Sequence, residues 1–197
     1  MTQMHTKATL VIGLCVAFLA ILSVLHALEP EFNPPHLISE YQLGHFGWLM
    51  SLAFFCLGAA SLALFAAARQ STGPGRFGTW GLLIIGVAYF CAGIFPPVPK
   101  WFVGSLLHGI GGLVVIFGSP MVFTLVSKGF VRNEASATTT RLLIWMAALT
   151  WLSVLLFYVS IIAFRGSIFV GWTNRFLITT FVLWLLIAAF HVRSKNR

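Results

Sequence analysis

The sequence predicts an all-α membrane protein: a polytopic bundle of six transmembrane helices with both termini on the cytoplasmic side. Three observations lead there. Hydrophobic residues make up 59% of the 197 and charged residues only 8%, where a soluble domain carries about 25% charged. Mean hydropathy is +0.95. Six apolar runs take up nearly the whole chain, and about 20 apolar residues rising roughly 1.5 Å each cross a hydrocarbon core. No length remains for a soluble domain, so residues 1–197 are expected to form one integral membrane unit.

The first span is expected at about 8–28, after a short tail. Its apolar run exceeds the roughly 7–15-residue core of a cleaved signal peptide, and no small-x-small site follows, so it is expected to be retained. The connection Glu29–Gly44 is the longest polar stretch and holds three of the four acids. Pro30, Pro34 and Pro35 forbid a continuous helix there, and Leu37–Leu43 is expected as a short amphipathic turn along the interface. The second span, about 45–68, carries small residues for close packing. Arg69–Gly78 reads as a turn-rich loop. The third span, about 79–95, is stopped by Pro96, Pro97 and Pro99.

The fourth span, about 101–127, has no charge and a single histidine. On a helical wheel Gly104, Ser105, His108, Gly111, Gly112 and Ser119 share one side, and Phe102, Leu106, Ile110, Leu113 and Phe117 the other. That is a helix-facing and a lipid-facing side. Pro120 should kink the helix near Gly118, with Ser119 able to compensate the freed carbonyl of Ile116. The loop Lys128–Arg141 and the connection Arg165–Gly171 then separate the fifth span, about 142–164, and the sixth, about 172–192. Cys15, Cys56 and Cys91 fall in three different spans without metal-ligand spacing and read as packing residues.

Charge sets the orientation. Lys7, Arg69, Arg76, Lys128, Arg132, Arg141, Arg193, Lys195 and Arg197 face only Glu134 on one side; Lys100, Arg165 and Arg175 are matched by Glu29, Glu31 and Glu40 on the other. The basic side is expected to be cytoplasmic, which places a multi-pass protein in the cell inner (plasma) membrane. The net charge of +8 is spread over short loops, so no nucleic-acid partner is expected. Membrane lipids are the expected partners, with a membrane protein or a second copy of this chain as the alternative.

Several polar groups then share one depth at the outer end: His26, His45, His108, Asn174 and Arg175, with Glu29, Glu31, His36, Ser39, Glu40 and Tyr41 in the loop above. Ionisable groups in spans usually face a bundle interior or a wet cavity, so an outward-facing polar pocket is expected. Its candidate ligand-binding residues are His108, Arg175, Glu40, Tyr41, Ser39, Asn174, His26 and His45. Arg175 is expected to hold an anionic headgroup and to pair with Glu40 or another outer acid. No cofactor or metal is expected: a zinc site would need His26, His45 and His108 to converge from three helices, and no H-E-x-x-H signature is present.

Four segments carry a resemblance: ISEYQLGHFGWLM (Ile38–Met50), GIFPPVP (Gly93–Pro99), LHGIGG (Leu107–Gly112) and GWTNRF (Gly171–Phe176). Together the chain resembles a prokaryotic membrane family, the domain of unknown function 998. The resemblance implies six helices, and implies that Ser39, Glu40, Tyr41, Gly44, His108 and Arg175 occupy positions where relatives place recurring polar residues. Relatives often carry an aspartate after the Phe-Pro pair, where this chain has Pro97 and Val98, which weakens a catalytic reading. The family implies no reaction. The expected function is therefore binding or handling of a lipid-like or amphiphilic molecule in the outer pocket. The alternatives are a membrane-embedded hydrolase with a histidine-centred site, built on Ser39 and His108, or an accessory subunit packed against a partner. No nucleophile elbow precedes Ser39.

Overall fold

The computed structural model describes residues 2–34, 36–70, 75–132 and 137–194; Pro35, Glu134, Lys195 and Arg197 lie outside them. Six helices follow one another: α1 (Thr2–Leu28), α2 (Gly47–Ala68), α3 (Arg76–Ile94), α4 (Phe102–Arg132), α5 (Ala137–Ala163) and α6 (Ile168–Ser194). All six are long and apolar enough to cross a membrane. With no water in the core to satisfy a broken backbone, apolar runs of this length close their hydrogen bonds internally as helices. This is a multi-pass membrane protein.

The helices run past the apolar segments that mark them. The N-terminal tail is helical from Thr2, α4 continues to Arg132, and α5 begins at Ala137, so both ends of the loop read as Lys128–Arg141 are helical, its centre lying outside the described residues. Helix formation depends on backbone bonding rather than on hydrophobicity, and polar residues such as Lys and Arg are good helix formers. Pro120 lies within a continuous α4. Ser119 does not compensate it: its hydroxyl is buried without a hydrogen-bond partner.

The six helices form a ring in chain order. Each packs on the next, α6 returns to α1, and α2 and α6 also touch across the interior. Small residues set a close approach of backbones between α2 and α3. A Cβ on Gly58 would sit 3.0 Å from the Gly86 carbonyl oxygen, and one on Gly86 3.1 Å from that of Gly58. Residues seven apart join α5 to α6, with Ser153 bonded to Thr180 (3.0 Å) and Ser160 to Thr173 (2.6 Å). Two turns of helix bring them to the same face.

Alternation of the helices gives the ring two unlike ends. At the basic end Lys7 donates to the Ala66 carbonyl (3.4 Å), placing a cation at the C-terminus of α2. Trp184 stacks on Phe123 with centroids 4.0 Å apart and donates to Ser127 (3.0 Å), whose hydroxyl bonds the Leu143 carbonyl (3.2 Å). At the opposite end lies the α1–α2 connection, here called the strap. It holds two 3-10 turns, Pro30–Phe32 and Ile38–Leu43. The strap does not lie along the interface: Ile38 and Tyr41 are fully covered, and it folds into the mouth of the ring.

Candidate functional site

The strap is held by one guanidinium. Arg175, in the second turn of α6, is only 8% exposed. Its Nε donates to His26 Nε2 (2.8 Å). One terminal nitrogen donates to the carbonyls of His36 (2.8 Å) and Gly171 (3.1 Å), the other to the Phe32 carbonyl (3.0 Å) and the Tyr41 hydroxyl (3.4 Å). Five N–H donors thus meet five acceptors. None of them is an acid.

The surrounding bonds fix those acceptors. His26 Nδ1 lies 2.7 Å from the Leu22 carbonyl, which accepts only, so Nδ1 carries the hydrogen and Nε2 offers its lone pair to Arg175. Tyr41 donates to Asn33 Oδ1 (2.8 Å), and Asn33 Nδ2 donates to the His26 carbonyl (3.3 Å). Burial pushes the Tyr41 phenol above its ordinary value of 10.0, an effect the hydrogen bond and charge of Arg175 oppose. Gly171 allows the contact, because a Cβ there would meet the His36 carbonyl oxygen at 2.9 Å and Arg175 Nη1 at 3.1 Å.

Further bonds pin the strap on either side. The Ile38 amide donates to Asn174 Oδ1 (2.9 Å), next to Arg175 on α6. Gln42 donates to Ser51 (2.9 Å) and to the Ala92 carbonyl (3.1 Å). The Glu29 carboxylate, 1% exposed, accepts from the Phe46 amide, and its second oxygen is buried without a partner. Gly44 is required beside it, since a Cβ would overlap that carboxylate.

Beneath the strap lies a cavity of about 70 Å³, lined by Ser39 and Ile38 above and by residues of α2, α3, α4 and α6, among them Tyr89, His108, Gly112 and Asn174. On α4 the lining positions 108, 112, 115 and 116 recur at helical spacing, and on α6 positions 174 and 178 do the same. His108 Nδ1 faces the carbonyls of Phe95 (2.8 Å) and Ala92 (3.2 Å), so it carries the hydrogen that bonds them. Its Nε2 has no hydrogen-bond partner among the described residues. Tyr89 is 2% exposed, and its hydroxyl has no partner either. Most of the lining is apolar, with these few polar atoms converging on it, the usual make-up of a small-molecule site. α4 and α6 supply facing walls of the cavity, and nearer the basic end they meet through Phe123 and Trp184.

A family model described as protein of unknown function (DUF998) matches residues 11–191. The chain belongs to that family. No curated protein and no solved structure matches it.

The eight candidate residues of this DUF998 protein thus fall into three groups. Ser39, His108 and Asn174 line the cavity. His26, Tyr41 and Arg175 form the pin that holds the strap. Glu40 and His45 belong to neither. Glu40 bonds His36 rather than Arg175, which corrects the expected Arg175–Glu40 pair: backbone carbonyls fill the guanidinium first. His45 is exposed, its ring against Phe46 at 4.8 Å. His26, His45 and His108 therefore do not converge, and no group of three or more metal-ligating side chains is found among the described residues.

Tyr89 escaped the sequence reading, because one tyrosine in an apolar run looks like core. Its signal is rarity: the chain has three tyrosines. Phe32 and His36 act through their carbonyls, which side-chain chemistry cannot announce.

Proposed function

We propose that the protein binds an amphiphile, a lipid or lipid-like molecule, with its polar group in the cavity beneath the strap. The observation that carries this reading is the Tyr89 hydroxyl, buried without a partner on the wall of a cavity. Leaving such a group unpaired costs about 1–3 kcal/mol, which an incoming acceptor or donor relieves. The free Nε2 of His108 adds a second bonding atom. A volume of about 70 Å³ takes a polar group and little more, so the chain of the ligand leaves along α4. There a Cβ on Gly109 or Gly112 would meet nothing within 4 Å.

The described basic caps, Lys7, Arg69, Arg76, Lys128, Arg141 and Arg193, support a cytoplasmic position for both termini in the plasma membrane. The cavity then opens beneath the outer leaflet. Arg175 serves as scaffold rather than headgroup clamp, since its five donors are all used inside the chain.

Native mass spectrometry of gently extracted protein tests the proposal. Wild type is expected to retain an amphiphile that Gly112→Leu loses, because the leucine fills space no other atom occupies. Equal retention by the two overturns it.

A further inference from the structure

The cavity brings together residues far apart in sequence whose chemistry is complementary. Ser39 comes from the strap, His108 from the second turn of α4, Asn174 from α6 and Tyr89 from α3, all lining one cavity. The cavity has a volume of about 70 Å³, and residues from all four segments line it. His108 is oriented as a general base requires. Its Nδ1–H is directed at the Phe95 and Ala92 carbonyls, so Nε2 is the nitrogen with the lone pair, and those carbonyls stabilise the ring once it takes a second proton. This is the orienting role an acid plays in a serine triad, here given to backbone oxygens. The Ser39 hydroxyl makes no hydrogen bond among the described residues. Asn174 is held through Oδ1 by the Ile38 amide (2.9 Å), and its Nδ2 hydrogens have no partner among the described residues. The Tyr89 hydroxyl is likewise unused.

We propose that Ser39 and His108 form a nucleophile–base pair that hydrolyses a carboxylic ester of an amphiphile, with Tyr89 and Asn174 as donors to the oxyanion. This rests on the binding reading above and adds a reaction to it. The Ser39 Oγ–H proton passes to His108 Nε2 as Oγ bonds the ester carbonyl carbon, and the carbonyl π pair moves to its oxygen. Collapse of the tetrahedral species breaks the carbon–alkoxy bond, and the imidazolium returns its proton to the leaving alcohol. Water then attacks the acyl-Ser39 ester, giving a proton to His108. The Oγ–acyl bond breaks, Ser39 regains its hydrogen, and the carboxylic acid leaves. The oxyanion forms beside the two donors that the resting protein leaves unpaired, so they act mainly in the transition state.

The test uses the full-length protein in detergent micelles, a long-chain alkyl fluorophosphonate and the 4-methylumbelliferyl ester of a fatty acid. The expected result is a covalent adduct on the peptide carrying Ser39. Ester hydrolysis should fall about 100-fold or more in Ser39→Ala and in His108→Ala. The Ser39 hydroxyl makes no hydrogen bond among the described residues, so Ser39→Ala is expected to keep the wild-type melting temperature. Ser39→Cys adds a second readout, alkylation by iodoacetamide that slows when His108 is also replaced by alanine. If Ser39 takes no adduct and neither variant changes hydrolysis, while native mass spectrometry still shows a bound amphiphile, catalysis is refuted and binding stands. Absence of both adduct and bound amphiphile overturns the two together.

Discussion

Arg175 carries a full charge among uncharged acceptors, so its contribution is cohesive rather than Coulombic. Removing it leaves His26 Nε2, the carbonyls of Phe32, His36 and Gly171, and the Tyr41 hydroxyl without their donor at a largely dry site. Bonds to a charged group contribute about 1.5–3 kcal/mol each but do not add. Arg175→Ala is therefore expected to cost on the order of 3 kcal/mol, read as a lowered melting temperature in detergent with early proteolysis in the strap. Arg175→Lys should recover only part of this, because an ammonium offers three donors and no planar fork. A melting temperature equal to wild type would show that the strap is held by other bonds. The residue itself was conspicuous in the sequence as a cation within an apolar run. Its partners were not, since three of the five are backbone carbonyls.

Among the elements, α4 shows where helical spacing informs and where it misleads. Phe102, Leu106, Ile110, Leu113 and Phe117 all lie on the exposed side, as their common wheel face implies. Its glycines divide in a way composition does not reveal. A Cβ on Gly111 would sit 3.0 Å from the Ala88 carbonyl oxygen, whereas Gly109 and Gly112 border open space. Gly81 of α3 is tighter still, since a Cβ there would overlap Val122 of α4. Gly81→Ala should accordingly destabilise by about 1–3 kcal/mol. Gly109→Ala should be neutral or slightly stabilising, alanine being the better helix former by about 1 kcal/mol. Thermal unfolding of the two variants side by side checks this, and equal losses would mean α3 and α4 pack differently. The strap was harder to read. Its prolines forbade a long helix, but burial of Tyr41 and Ile38 depends on Arg175 and Asn174, more than a hundred residues away.

For the molecule as a whole, hydropathy made the number of helices legible, because each apolar run is long enough to span on its own. The ring order was not, since it depends on which small faces meet. The site was legible as a depth, where Ser39, His108 and Asn174 belong together, but not as a boundary between cavity and scaffold. Charge bias predicts one orientation. On intact cells a membrane-impermeant maleimide should label Arg165→Cys at the strap end and not Thr138→Cys at the basic end. The reverse pattern would turn the cavity toward the cytoplasm.

Arg175 belongs to the sixth helix in chain order, and what it fastens belongs to the first connection. During biogenesis, then, the segment between α1 and α2 waits, its carbonyls facing water or headgroups, until α6 enters the bilayer. Only a chain that includes α6 can be sealed. A ribosome that stops before residue 175 would release a product whose strap lacks its guanidinium donors, a shape that quality-control proteases could tell from the sealed one.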